Sequence, residues 1–541
     1  MLLHSFLEQS ATRSPDKTAL VCDGQRMSYA ELELFANRLG HALRTYGVRR
    51  GDRVAIHLDN SAAAVVALFA VLKADAAFVP VNPTTKTQKL AYVLNNCRAR
   101  VLVLPEEKLA SHRACFAETP HLETLVAVGG QGVTASSRVG EPGRDAPGTT
   151  HPAVDGSDVG KRCVGLDELL DEFHLCAGPP PRRNIDVDLA ALVYTSGSTG
   201  DAKGVMLTHR NMVAAATSIT TYLENTPDDV ILSVLPLSFD YGLYQVLMSV
   251  NLGGTMVLER SFAYPHAVMR KAVAERVTGL PLVPTMLAML LQMDVGRYAL
   301  DNLRYVTNTG AAMPVDHISR FRKLLPHVKV FSMYGLTECK RVAYLPPAEI
   351  DRRPGSVGKA MPNTEAYPAD DDGRHCGPGE VGELVVRGSN VMAGYWENPE
   401  ATDRVLRPGP VPGERMLYTG DLFRTDDDGY LYFVGRKDDI IKSRGEKVSP
   451  REVENALCTH PGVAEAAVLG MPDPILGQAI AAFVALRPGC EATERELLRH
   501  CAARLEDFMV PKAVTLCDAL PKTANQKIDK RALAENANVG S

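Results

Sequence analysis

At 541 residues the chain exceeds what one hydrophobic core usually organises, which calls for a large domain with at least one smaller companion. Its 59 basic and 64 acidic residues leave a net charge of −5, which gives no footprint for nucleic acid or an anionic membrane; no apolar run is long enough to span a bilayer. The 11 cysteines are dispersed without a C-x-x-C pair, which argues against a zinc site or a disulfide framework and fits a reducing cytoplasm. The N-terminus lacks a basic head and its apolar run is broken by His4 and Glu8, so it is not read as a signal peptide.

In chain order, Ser28 with Glu31 three residues on forms a capping box, and Leu32, Leu34, Phe35, Leu39 and Leu43 supply the apolar face of a helix. Strand-like runs at 54–58, 101–104 and 190–194 alternate with helical stretches, the α/β signature. Residues 129–160 offer only valine and alanine as aliphatics among Gly, Pro, Ser, Thr and Asp, so they are expected to form an exposed insertion. Directly after an apolar run, residues 194–204 combine Thr195, Ser196, Ser198 and Thr199 with Gly197, Gly200, Gly204 and Lys203. Glycines let backbone N–H groups approach an anion, hydroxyls add donors and lysine adds charge, so the segment suits phosphates. It is not a Walker A loop, and a flexible surface loop is the other reading.

Further on, Ser449, Pro450 and Glu452 mark a capped helix with Val453 and Leu457 on its buried face, and residues 464–469 read as a strand. The last hundred residues therefore form a separate small α+β unit.

The segment around Lys203 keeps company with Tyr334-Gly335-Leu336-Thr337-Glu338, Tyr418-Thr419-Gly420-Asp421, Gly435-Arg436-Lys437-Asp438 and a late Pro521-Lys522-Thr523 to Lys527-Ile528-Asp529. In that order these motifs resemble the adenylate-forming superfamily of acyl- and aryl-CoA synthetases, luciferases and nonribosomal adenylation domains. The resemblance runs from about Phe6 to Leu533. It implies an α/β fold with a large multi-subdomain N-terminal domain, residues 1–435, and a small mobile α+β C-terminal domain, residues 436–541. It also implies an ATP-dependent ligase: a carboxylate attacks the α-phosphate of ATP, and a thiol then displaces AMP.

By the same resemblance, Thr195, Ser196, Ser198, Thr199 and Lys203 serve the β,γ-phosphates, Glu338 holds Mg²⁺, and Thr337 donates to the α-phosphate. Tyr334 stacks on adenine, Gly310 and Ala311 line the ring edge, and Asp421 accepts from the ribose with Arg436 beside it. Lys527 is the catalytic lysine, Asp438 the hinge, and Gly445 faces the site during thiolation, or merely turns a hairpin. Gln526 stands where the family usually has glycine, and Ser332 where amino-acid-activating members often have asparagine. The acyl pocket is assigned to Asp240, Tyr244, Thr309, Met333 and Arg341, with Pro281 beside them. Asp240 resembles the residue that holds a substrate ammonium, which makes an amino acid the favoured substrate; fatty or other acyl groups are the alternative, with Asp240 as a helix cap. Arg341 suits a second carboxylate, a partner for Asp240, or an outward position. Cys339 reads as a pocket-wall residue. The thiol is CoA or the phosphopantetheine of a separate carrier protein. A non-catalytic adenylate-binding homologue and a luciferase-like oxygenase are the remaining readings.

Overall fold

A computed structural model of the chain describes residues 1–130, 133, 160–195, 202–311, 313–437, 439–443, 446–473, 477–523 and 527–539. The expected insertion therefore falls almost wholly outside the described residues, as do Ser196, Ser198, Thr199, Asp438, Gly445 and Gln526.

The fold is mixed α/β, with a large sheet-rich N-terminal domain and a smaller C-terminal one. Its largest sheet starts with the antiparallel pair Gln25–Ser28 and Thr18–Cys22, then runs parallel through Thr255–Leu258, Val230–Ser233, Gly279–Leu282, Tyr305–Asn308 and Lys329–Tyr334. From there it continues antiparallel through Ala343–Leu345, Ser356–Ala360, Leu431–Arg436 and Arg415–Thr425. The second sheet carries Lys203–Thr208, Leu189–Thr195, Ala77–Pro80, Arg53–Ile56 and Ala99–Pro105 as neighbours. The apolar helix Ala62–Lys73, buried all round, joins a core shared by both sheets. Such burial explains why its sequence lacks a polar stripe.

The third sheet belongs to the C-terminal end: Ile441–Ser443, Gly477–Leu486 and Val463–Asp473, with Ala513–Cys517 pairing in parallel. Membership passes from the largest sheet to this one between Arg436 and Ile441.

The helix Tyr29–Thr45 starts at the capping box of Ser28 and Glu31. Ser449 occupies the N-cap of Pro450–Cys458 but, contrary to expectation, makes no capping bond; its hydroxyl donates instead to the carbonyl of Val434. That bond ties the first helix of the small domain to the strand before the crossover.

Candidate active site

The phosphate-type segment is a hairpin. Thr195 closes one strand, Lys203 opens the next, and the two are register partners, so Gly197 and Gly200 fall between them, outside the described residues, while Gly204 lies in the second strand opposite Tyr194. Lys203 Nζ lies 5.4 Å from the Tyr395 ring, and the Tyr395 hydroxyl donates to Glu338 Oε1 at 2.7 Å. Lysine, phenol and carboxylate thus form one cluster at strand ends, where ligands of α/β sheets bind. Tyr395 escaped sequence reasoning because Gly394-Tyr395-Trp396 carries no chemical signature. Half-buried Thr337 sits in the turn beside Glu338. Among the described residues no group of three or more His, Cys, Asp or Glu is placed to hold a metal. Mg²⁺ needs few protein ligands where phosphates and water complete its shell, so the Glu338 carboxylate is a chemically adequate donor.

Asp421 and Arg436 face each other across the antiparallel strands Arg415–Thr425 and Leu431–Arg436. Arg436 Nε lies 3.2 Å from Asp421 Oδ1, and the Tyr334 hydroxyl donates to Oδ2. Burial pushes the Asp421 carboxyl up, against the pull of Arg436 and Tyr334. The Tyr334 ring packs edge-on against Phe423 at 4.8 Å between centroids and lies 6.3 Å from Phe433.

Lys527 reaches the same place from the small domain. Its side chain lies against Gly310, and its Nζ is 5.6 Å from the Phe239 ring. Burial lowers its ammonium pKa, while Asp240 and Asp421 draw it back up. Gly310, Ala311, Pro284, Gly435, Arg436 and Lys527 line a cleft of about 360 Å³. Gly310 has a left-handed φ of 84°, a conformation glycine adopts without Cβ strain. The Asn308 amide donates to the Ala311 carbonyl and shapes the following turn.

The acyl end differs most from expectation. Asp240 is the first residue of the helix Asp240–Leu252, whose N-cap is Phe239 without a side-chain bond, so Asp240 is not the cap. Its charge is already met: Lys340 Nζ donates to the Asp240 carbonyl at 2.8 Å and approaches Oδ2 at 3.3 Å. Lys340 is 3% exposed, lies 4.4 Å from the Tyr244 ring, and burial pulls its pKa down to about 7. Sequence reasoning missed Lys340; its signal was only that it precedes Arg341. The approach is possible because Gly335 lacks a Cβ, which would stand 2.2 Å from the Lys340 carbonyl oxygen.

Arg341 neither points outward nor pairs with Asp240. It is 1% exposed, with Cζ 5.3 Å from the Tyr241 ring. Met333 Sδ accepts from the Tyr222 hydroxyl at 2.9 Å, and Tyr222 stacks on Tyr344. Thr309 is buried just after the strand Tyr305–Asn308, and its Oγ1 has no hydrogen-bond partner among the described residues. Cys339 is fully buried, with its thiol pKa well above the usual value through burial and the charge of Glu338.

With this geometry in view, the family described as AMP-binding enzyme matches residues 7–396, and its C-terminal domain matches residues 452–527. A long-chain-fatty-acid–CoA ligase of Escherichia coli O157:H7 is 34% identical over 99% of this chain and 94% of its own. A feruloyl-CoA synthase of an Amycolatopsis species is 36% identical over 98% and 97%. Among solved structures, the anthranilate CoA ligase AuaEII in complex with anthranoyl-AMP superposes with a TM-score of 0.87 at 26% identity, covering 100% of this chain and 98% of that one.

Proposed function

The chain belongs to the AMP-binding enzyme family and is an ATP-dependent, AMP-forming acid–thiol ligase, and from that premise we propose that it activates a carboxylic acid as its acyl adenylate and passes the acyl group to CoA. The acid's oxygen forms a bond to the α-phosphorus as the bond to pyrophosphate breaks; the CoA thiol, losing its proton, then attacks the acyl carbon and AMP departs.

Like charges meet in the first step, so fixed donors must offset them. We assign the β,γ-phosphates to Thr195, Ser196, Ser198, Thr199 and Lys203, and the α-phosphate to Thr337. Glu338 would hold Mg²⁺, which supplies charge neutralisation on the triphosphate. Tyr334, Gly310 and Ala311 receive adenine, and Asp421 with Arg436 receives the ribose. Lys527 bridges acid and phosphate.

The observation that carries this reading is Lys527, which comes from the small domain yet lies against Gly310 in the cleft that also holds Arg436. We assign the bodies that move to residues 1–435 and 436–541, with Asp438 as pivot and Gly445 on the face presented to the thiol.

An amino-acid substrate loses its main support, because Lys340 supplies the cation that Asp240 was expected to take from the substrate. CoA is preferred over a carrier protein because the relatives named above are CoA ligases and synthases. Acid-dependent pyrophosphate exchange, followed by CoA-dependent AMP release, tests the proposal. Exchange with no acid in a broad panel would leave an adenylate-binding protein without the reaction.

A further inference from the structure

Arg341 heads the large side chains that are fully withdrawn from water among the described residues, at 1% exposure, and its Nε and Nη1 have no hydrogen-bond acceptor. Its known neighbours are aromatic: the Tyr241 ring lies 5.3 Å from Cζ, and the Tyr222 phenol is close enough for the guanidinium to act on its titration. Beside it, Lys340 is equally withdrawn but has Asp240. Two adjacent buried cations are thus served by one carboxylate. A dry cation without an anion is strongly disfavoured, since removal from water is repaid only by a partner and satisfied donors.

Two aromatic rings connect this guanidinium to Lys527. Lys527 Nζ stands 5.6 Å from the Phe239 ring and Arg341 Cζ 5.3 Å from the Tyr241 ring, while those two rings meet edge-on with centroids 6.1 Å apart. The ammonium that would meet the reacting carboxylate and the guanidinium without an anion are therefore seated on one aromatic corner at the start of the helix Asp240–Leu252. Thr309 adds an unpartnered hydroxyl, also buried.

Resting on the ligase reading above, we propose that the substrate is a short dicarboxylic acid: one carboxylate is adenylated beside Lys527 and the other is held by Arg341. A guanidinium offers a carboxylate several directed donors at once, which makes it a selective anchor rather than a diffuse charge. An alkyl chain or an unsubstituted aromatic ring in this pocket leaves Arg341 as it is now, dry and unpaired. Arg341 is then the residue that decides which acid enters.

The test compares wild-type pyrophosphate exchange with malonic, succinic, glutaric and aspartic acids against propionic, butyric and octanoic acids, and succinic acid against its monomethyl ester. The diacids are expected to win in kcat/KM by a factor on the order of 10⁴, the scale on which a site built to bond a polar group rejects an analogue lacking it. The monomethyl ester needs no variant, so the comparison survives if substitutions at Arg341 fail to fold. Where Arg341→Met does fold, it should lose the diacid preference while its KM for ATP stays unchanged. Exchange with monocarboxylic acids equal to or better than with diacids overturns this inference and leaves the ligase standing. Exchange with no acid at all overturns the ligase reading itself.

Discussion

Lys527 rests on the bare backbone of Gly310: a Cβ at residue 310 would stand 3.5 Å from Lys527 Cε and 3.2 Å from Phe239 Cζ. With φ at 84°, Gly310→Ala carries a backbone penalty of about 1–2 kcal/mol and crowds Phe239, on whose ring Lys527 sits. Gly310→Val is expected to suppress pyrophosphate exchange more than tenfold while the protein still folds. Unchanged exchange in the valine variant would show that the contact between residues 310 and 527 is incidental.

Lys527→Ala should remove acyl-adenylate formation, with a loss on the order of 10²–10³ in rate, and largely spare thioester formation from acyl adenylate supplied ready-made. Both half-reactions measured side by side decide the matter; equal losses in the two would assign Lys527 a structural role.

Asp240→Ala leaves the Lys340 ammonium buried without its carboxylate. Breaking a buried pair in this way costs about 3–5 kcal/mol, so the melting temperature should drop by many degrees. The loss of activity should be similar for an acid and its amino derivative. A selective loss for the amino derivative would restore Asp240 as a substrate-ammonium ligand.

Asp421→Ala removes the acceptor shared by Tyr334 and Arg436. Hydrogen bonds to a charged group contribute about 1.5–3 kcal/mol, so KM for ATP is expected to rise roughly tenfold to a hundredfold with little change in KM for the acid. A rise confined to the acid would move Asp421 out of the nucleotide site.

His209 is fully buried, and its Nδ1 accepts the Leu3 N–H at 3.1 Å. Burial pulls its pKa from the ordinary 6.5 to about 4. The unfolded chain protonates this ring below about 6.5, whereas the folded chain resists until about 4. Its stability contribution is therefore whole above 6.5 and lost as pH falls to 4, roughly 3 kcal/mol at 1.36 kcal/mol per unit. His57 and His317 act in the same direction. Melting temperature followed from pH 7 to 4 should fall, and less steeply for His209→Gln; identical slopes would clear His209.

The α/β class and the separate C-terminal sheet were legible because they are written in local terms: the capping box at Ser28, the short continuous apolar runs at 101–104 and 190–194, and the strand-like run at 464–469. The pairing of Asp240 with Lys340 was not, since 100 residues separate them and only the packing of the Asp240–Leu252 helix against the turn after Glu338 brings them together. Arg341 was legible as a charge but not as a buried one, because burial is a property of the surrounding aromatic rings. Ser449 followed its pattern to the N-cap position, yet its hydroxyl donates to the Val434 carbonyl and accepts no bond from the N–H groups of its own helix.

Cys339 lies one residue from Glu338, close to where the proposed chemistry makes a mixed anhydride that any thiolate would attack. An accessible thiolate there would acylate the protein itself and end each cycle in a dead enzyme. Full burial and the neighbouring carboxylate keep that sulfur protonated, and only the thiolate is a competent nucleophile. The protein thus keeps a thiol of its own beside a reaction that consumes thiols, silenced by its surroundings, so that the incoming CoA meets no internal competitor.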